Sequence, residues 1–123
     1  MCSSDLPHHA AEAVEVATGG PVVEGNVGAG TGTSALGYKG GIGTSSRLVH
    51  LAGETAVVGV LVQSNFGGRF TVDGVDMSEL RPANQPHHTV GSSIMIIVAT
   101  DMPLNGRLLN RLAKRATFGL ARS

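Results

Sequence analysis

Glycine is the residue that most constrains how this chain can fold. Eighteen of the 123 residues are glycine, about twice the usual share of roughly 7%. Eight of them fall between residues 25 and 46. Glycine has no Cβ atom, so it permits left-handed backbone conformations and close backbone approaches, and it weakens regular helices and strands. We therefore predict a long ordered loop over residues 25–46, with one short strand from Ser34 to Tyr38.

The composition excludes several classes of protein. Nine basic and nine acidic residues give a formal net charge of zero, which argues against nucleic acid or an acidic membrane as the main partner. The longest apolar run, Ile94 to Ala99, has six residues, whereas a membrane-spanning helix needs about 18. Hydrophobic residues make up 41% of the chain, which indicates a folded domain and not a disordered linker.

The N-terminal segment shows no targeting signal. It has neither the basic region nor the apolar core of a secretory signal, so the expected location is the cytoplasm. Cys2 is the only cysteine and can form no disulfide within the chain. Residues 1–9 are expected to be a non-native or disordered start, and residues 10–123 a single partial domain.

Periodicity in the first half of the chain predicts one helix and a hairpin. Apolar residues at helical spacing predict a helix over residues 10–17, which ends at the breaker sequence 18–21. Runs rich in β-branched residues predict strands from Arg47 to Ala52 and from Thr55 to Gln63. The Gly53-Glu54 pair between them is typical of a type II′ turn. The second strand is nearly all apolar, so we expect it to be covered on both faces.

The second half predicts a buried strand followed by an amphipathic helix. A short strand is expected from Phe70 to Val75, an exposed loop over 77–90, and a buried strand from Ile94 to Ala99. Asp101 and Pro103 are typical of a helix start. The helix has one apolar stripe, formed by Leu104, Leu108, Leu109, Leu112, Ala116 and Leu120. Strands and amphipathic helices in this order predict a mixed α/β (α+β) layered domain.

Neither a nucleotide-binding loop nor a metal site is expected. Residues 28–32 read GAGTG, in which the third glycine comes one position early for the dinucleotide fingerprint. Lys39 is followed by two glycines and not by Ser or Thr, as a phosphate-binding loop requires. The histidines at 8–9, 50 and 87–88 form no chelate, because adjacent residues on an extended chain point to opposite faces. The sequence therefore implies no cofactor and no metal.

Two polar residues at strand ends are candidate site residues. Ser93 follows Gly91-Ser92 at the start of a predicted strand, where a serine can be either a nucleophile or an ordinary turn residue. Asn65 ends a predicted strand, and its side-chain amide can either donate to a developing oxyanion or serve the turn. The pattern alone leaves both alternatives open, and no Ser-His-Asp arrangement can be assembled.

Four separated motifs resemble one family. They are GNVGAGTG at 25–32, YKGGIGTSSR at 38–47, VGVLVQSNFG at 58–67 and SIMIIVATDMPL at 93–104. Together they resemble the L-aminopeptidase/D-esterase-amidase family, which includes the β-peptidyl aminopeptidases. The resemblance implies an αββα four-layer sandwich of the N-terminal-nucleophile type, present here only in part. It also implies hydrolysis of N-terminal aminoacyl amides or esters without a cofactor.

The resemblance also implies roles for the two candidates. Members cut themselves before a serine that then heads the β chain, which places the nucleophile on Ser93 and the cut between Ser92 and Ser93. Residues 10–92 would then be the C-terminal part of the α chain, and 93–123 the N-terminal part of the β chain. Asn65 matches the oxyanion-hole asparagine of the family.

Other family features fall outside the chain. A catalytic tyrosine would precede Met1, and a serine and a glutamate would follow Ser123; Tyr38 does not match the family tyrosine. We therefore expect the 123-residue chain to be inactive on its own. The parent protein is expected to be an oligomer of αβ units that acts on small peptides, amides or esters. Two alternatives stay open. One is an acyltransferase related to ornithine acetyltransferase, although those enzymes use threonine as nucleophile. The other is a non-catalytic interaction module.

Overall fold

The computed structural model of the chain describes residues 7–80 and 93–122. Two 3-10 turns at Gly28–Gly32 and Ser78–Leu80 accompany the regular elements. In chain order, the helices and strands are α1 (Pro7–Glu15), β1 (Ser34–Ala35), β2 (Tyr38–Lys39), β3 (Ile42–Leu51), β4 (Glu54–Asn65), β5 (Thr71–Val72), β6 (Val75–Asp76), β7 (Ser93–Thr100) and α2 (Gly106–Leu120).

A three-stranded antiparallel sheet in the order β3-β4-β7 forms the centre of the described structure. Its first ladder runs from Ile42 opposite Gln63 to Leu51 opposite Glu54. Its second runs from Val58 opposite Thr100 to the last pair, Asn65 opposite Ser93. The predicted strand at 94–99 is confirmed, whereas β3 begins at Ile42, inside the predicted loop over residues 25–46. The alternation that marks a strand was hidden there by the glycines on either side of Ile42.

All three tight hairpins use a turn that the sequence analysis did not predict, and the one between β1 and β2, at Leu36-Gly37 with φ angles of 54° and 86°, divides the single strand predicted from Ser34 to Tyr38. Between β3 and β4, Ala52 and Gly53 have φ angles of 52° and 85°, which is the type I′ pattern. The predicted type II′ turn at Gly53-Glu54 is therefore wrong, and Glu54 belongs to β4. The predicted strand from Phe70 to Val75 is also wrong, since it is broken by another turn of this kind at Asp73-Gly74, with φ angles of 53° and 81°.

The glycine-rich segment brings backbone against backbone beside β3 and β4, as the composition predicts. Gly25 and Ile42 exchange two backbone hydrogen bonds of 2.7 and 3.0 Å. A Cβ atom on Gly41 would lie 2.5 Å from the carbonyl oxygen of Gly25, and one on Gly40 would lie 2.6 Å from that of Ser64. Only glycine fits at these two positions, because the obstructing atoms belong to the backbone and cannot rotate away.

Helix α2 follows β7 and lies against it. Asn105 caps the helix, because its Oδ1 accepts the N–H of Leu108 at 3.1 Å. The predicted start at Asp101 is therefore wrong; the Asp101 carboxylate instead accepts the backbone N–H of Val57 at 2.8 Å. Every residue of the predicted apolar stripe is half-buried except Leu109, which is 43% exposed.

The two faces of the central sheet differ in exposure. Alternate residues of β7, from Ile94 to Val98, are half-buried, which is the expected result of packing against α2. Met95 and Ile97 on the opposite face are 59% and 55% exposed. Among the described residues Ala56, at 6% exposure, is the only buried apolar side chain. The expected cover on both faces of β4 is found only in part, since residues 58–65 are half-buried and Val57 is 40% exposed. The expected burial of the strand at 94–99 is wrong for one of its faces.

Helix α1 is the first element of the described structure. Helix α1 includes residues 7–9, which the sequence analysis left outside the domain, and ends two residues before the predicted boundary at 17. No helix in the described part of the chain is long and apolar enough to cross a membrane.

Candidate active site

Strand register brings the two candidate residues together. Asn65 is the last residue of β4 and Ser93 is the first of β7, and they are directly paired. The Asn65 side-chain Nδ2 donates to Ser93 Oγ at 3.1 Å. The Ser93 hydroxyl is in turn 3.4 Å from the backbone carbonyl of Asn65, to which it donates. Directly opposed residues of an antiparallel pair point to the same face, so both side chains occupy one corner of the sheet.

The orientation of the Asn65 amide is fixed by a second partner. The backbone N–H of Ser34 donates to Asn65 Oδ1 at 3.3 Å. A backbone N–H can only donate, so its partner must be the amide oxygen and the amide nitrogen must face Ser93. The side chain is therefore held with its two donors directed away from the glycine-rich segment and one of them on the serine oxygen.

Backbone contacts hold the Ser34 segment against the end of β4. The N–H of Leu36 donates to the carbonyl of Phe66 at 2.8 Å, and the N–H of Ser64 donates to the carbonyl of Gly41 at 3.1 Å. Gly41 N–H also donates to the Ser64 hydroxyl at 3.3 Å. These bonds flank Asn65 on both sides along the chain, which restricts how far its amide can move relative to Ser34.

The serine is accessible and lacks a side-chain base in the described region. Ser93 is exposed, and within residues 7–80 and 93–122 its hydroxyl hydrogen-bonds only to Asn65. An exposed hydroxyl with an amide donor beside it can attack a carbonyl while the donor stabilises the oxyanion that forms. The proton that leaves the hydroxyl must then go to a group other than the described side chains.

Other predicted features take structural roles or fall outside the described residues. Ser92 and the histidines at 87–88 lie outside them. Tyr38 supports the β5–β6 hairpin, because its hydroxyl donates to the Met77 carbonyl at 3.2 Å and its ring meets Phe70 edge-on at 5.3 Å.

The remaining histidines are placed on regular elements. His8 and His9 lie on helix α1, so the assumption of an extended chain there is wrong. His50 Nδ1 is 2.9 Å from Thr55 Oγ1 across the β3–β4 hairpin. No three potential metal ligands come together in the parts of the chain that the structure covers.

Lys39 is a residue near the site that sequence reasoning missed. From the sequence, Lys39 was considered only as the lysine of a phosphate-binding loop, a motif that it does not match. In the structure its ammonium contacts three backbone carbonyls beside Ser34. A lysine between a tyrosine and two glycines gives no signal of this role, because the three carbonyls come together only when the glycine-rich segment folds.

The chain is similar to proteins whose names describe aminopeptidases. It is 41% identical to the beta-peptidyl aminopeptidase BapA of Sphingosinicella microcystinivorans over 94% of this chain and 34% of that protein. The L-aminopeptidase D-Ala-esterase/amidase of Ochrobactrum anthropi, a serine aminopeptidase with a variant of the Ntn hydrolase fold, superposes with a TM-score of 0.79 and 40% identity. That match covers 92% of this chain and 31% of the other.

A third similarity is to a protein of solved structure. A crystal structure of a protein from Pyrococcus horikoshii OT3 superposes with a TM-score of 0.78 and 49% identity, over 94% of this chain and 32% of that one. The chain thus spans about a third of the length of the relatives it matches, and its sheet and helices form part of a mixed α/β fold of the Ntn hydrolase type. Residues 3–123 match peptidase family S58, and the chain belongs to that family.

Proposed function

We propose that the whole protein to which these residues belong is a serine aminopeptidase or amidase that hydrolyses N-terminal aminoacyl amides or esters. Membership of family S58 and similarity to named aminopeptidases support the activity class. The single observation that carries the residue assignment is the 3.1 Å contact between Asn65 Nδ2 and Ser93 Oγ. In this proposal Ser93 is the nucleophile and Asn65 is an oxyanion donor.

The first step is self-cleavage between Ser92 and Ser93. Ser93 Oγ attacks the carbonyl carbon of residue 92, and the amide C–N bond breaks as the Ser93 nitrogen takes up a proton. The product is an ester between that carbonyl and Oγ, with a free α-amine on Ser93. Water then hydrolyses the ester, which releases residue 92 as a carboxylate and restores the hydroxyl.

The same hydroxyl then acts on the substrate. The new α-amine, whose reference pKa of about 7.7–8.0 suits proton transfer near neutral pH, accepts the Oγ proton during attack. The leaving amine or alcohol takes that proton, and the acyl group remains on Oγ until water removes it. In both attacks the Asn65 amide donates to the oxygen that becomes negative, and loss of such a donor typically lowers kcat about 10²–10³-fold.

The test is whether the whole protein is cut before Ser93. Mass spectrometry of the purified protein should find two chains, the second beginning at Ser93, together with turnover of an aminoacyl p-nitroanilide. Ser93→Ala should leave the chain intact and abolish turnover, since it removes the attacking hydroxyl.

Ser46→Ala is the matched control, because Ser46 is an exposed serine of β3 away from the strand ends, and it should cleave and turn over normally. An intact wild-type chain would favour the non-catalytic alternative. Cleavage that persists in Ser93→Ala would assign the nucleophile to another residue and refute the proposal.

A further inference from the structure

The Lys39 ammonium is bound by three backbone carbonyls. Nζ donates to the carbonyl oxygens of Gly30 at 2.7 Å, Thr33 at 2.8 Å and Gly40 at 2.8 Å. An ammonium has three N–H donors, so all of them are used. The side chain thus places a positive charge against the glycine-rich segment at a defined point, although the residue as a whole is exposed.

One of those carbonyls shares a peptide unit with the N–H that holds Asn65. The Thr33 carbonyl and the Ser34 N–H belong to the same planar amide, in which resonance couples the oxygen to the nitrogen. When the positively charged ammonium donates to the oxygen, it draws electron density from the amide nitrogen and makes the N–H a stronger donor. That N–H donates to Asn65 Oδ1 at 3.3 Å.

The side-chain amide of Asn65 is polarised in the same direction as the Thr33–Ser34 peptide. Donation to its Oδ1 draws electron density from Nδ2 and strengthens the Nδ2–H that reaches Ser93 Oγ at 3.1 Å. Two amides in series therefore connect the ammonium to the site, each with its oxygen toward Lys39 and its N–H toward Ser93. Hydrogen bonds in series polarise one another more strongly where water is partly excluded, and the Thr33 and Ser34 bonds are part-buried.

We propose that Lys39 is a positioning residue of the active site, which orients and polarises the Asn65 amide through the Thr33–Ser34 peptide. The inference rests on the proposed function, because it requires Asn65 to stabilise the oxyanion at Ser93. Lys39 touches neither the substrate nor Ser93. Its effect appears in kcat, through the oxyanion donor, and leaves substrate binding nearly unchanged.

A purely structural role would differ in one measurable way. Lys39 also holds Gly30 in the 3-10 turn, so its loss could lower stability without affecting the amide. In that case the effect on turnover would be the same whether or not Asn65 is present. If Lys39 acts through Asn65, removing the asparagine first leaves nothing for Lys39 to act on, and the two effects are not additive.

The experiment is a double-mutant cycle on the whole protein. Lys39→Met, Asn65→Ala and the double variant are compared by kcat and KM for an aminoacyl p-nitroanilide and by the half-time of cleavage before Ser93. Lys39→Met keeps an unbranched stem of four heavy atoms and removes the ammonium. Lys114→Met is the matched control, because Lys114 lies on the exposed side of helix α2, and Lys39→Arg tests rescue by a retained charge.

We expect Lys39→Met to lower kcat roughly tenfold with KM changed less than about twofold, a smaller loss than that of the donor itself. In the Asn65→Ala background the same substitution should change kcat less than about twofold. Lys39→Arg should recover part of the loss, and Lys114→Met should match the wild type. If Lys39→Met does not fold, Lys39→Arg is taken through the same cycle, where a smaller non-additive loss is expected.

Two results would overturn the inference. One is a Lys39→Met protein with the kcat of Lys114→Met, and the other is an equal loss of kcat with and without Asn65. Failure of the proposed function has a different signature. There the wild type is uncut or Asn65→Ala has wild-type kcat, regardless of what happens at Lys39.

Discussion

The two ends of the β3–β4 hairpin are built by different means. At the end that carries Asn65, the strands are flanked by the glycine-rich segment, where Cβ atoms on Gly40 or Gly41 would collide with neighbouring backbone. At the other end the strands close through Ala52 and Gly53, and Leu48 and Leu51 are 66% and 60% exposed. One end is fixed by backbone contacts from a distant segment, and the other is closed by its turn and by the contact between His50 and Thr55.

This difference shows what strand pairing can and cannot supply to a site. Register alone brings Asn65 opposite Ser93. It does not choose which way the asparagine amide faces; that is set by Ser34, which the glycine-rich segment holds in place.

Asn65→Ala should give the largest change in this set. The backbone pairing with Ser93 is kept while the amide donor is lost, so kcat should fall about 10²–10³-fold. Ser34 N–H also loses its acceptor, which should lower stability by about 1 kcal/mol. The measurement is kcat of the whole protein on an aminoacyl p-nitroanilide. Gln63→Ala is the control, because it removes an amide from the same face of β4 two residues away, where the amide donates to the Ala29 carbonyl at 3.3 Å. Equal losses in the two variants would contradict the assignment.

Gly41→Ala should disrupt the site end by overpacking. Its Cβ would lie 2.5 Å from the Gly25 carbonyl oxygen, so the backbone must shift at an expected cost of about 1–3 kcal/mol. The free energy of unfolding, from urea denaturation, is the measurement. Gly43→Ala is the matched control, since nothing lies within 4 Å of a Cβ there. A Gly41→Ala protein as stable as Gly43→Ala would mean that the close approach does not stabilise this end.

Ala52→Asn should stabilise the opposite end. Ala52 has a φ of 52°, and asparagine tolerates this left-handed region and precedes glycine in the preferred type I′ sequence. The expected gain is about 0.5–1 kcal/mol, read from the shift in melting temperature, with kcat unchanged. Asp73→Ala makes the reverse exchange in the β5–β6 turn and should destabilise by a similar amount. A loss of stability in Ala52→Asn would refute this account of the turn.

Glu24→Gln should have the smallest effect, a loss of stability at neutral pH that disappears in acid. The hydrogen bonds that the Glu24 carboxylate accepts, first from the Thr44 hydroxyl and then from the Thr44 N–H, lower its pKa below the usual value of 4.5. A lowered folded-state pKa stabilises the fold above pH 4.5 and ceases to do so as the pH falls through the folded-state value. The melting temperature of the wild type should therefore drop more on acidification than that of Glu24→Gln.

Glu12→Gln, on helix α1, is the control for that comparison and should follow the wild-type acid profile. A Glu24→Gln profile that also follows the wild type would show that the contact with Thr44 does not stabilise the strand edge.

The sequence predicted the elements with a strong apolar pattern. The apolar stripe of α2 was found because its apolar residues recur at helical spacing, and the strand at 94–99 was found because it is an unbroken run of β-rich apolar residues. The pairing of Ser93 and Asn65 was reached from the family resemblance. Its geometry was not predictable from the pattern, since it depends on which strands are neighbours and in what register.

The short elements were missed for a common physical reason. Hairpins β1–β2 and β5–β6 have two residues in each strand, too few to show alternation. The exposed face of β7 was also missed, because an apolar strand indicates burial without saying which part of a protein covers it. The start of α2 was misplaced because Asp101 reads as a capping acid, whereas it binds the β4 backbone.

The position of the Asn65–Ser93 pair at the very end of the β4–β7 ladder has a consequence for how such a chain can change over time. Side chains alternate between the faces of a sheet, so an insertion or deletion of one residue within either strand would send the amide and the hydroxyl to opposite sides. Substitutions along these strands can be tolerated one by one, but their lengths are tied to each other. Because Asn65 and Ser93 act together in the proposed mechanism, the number of residues in β4 and β7 is more constrained than the identity of those residues.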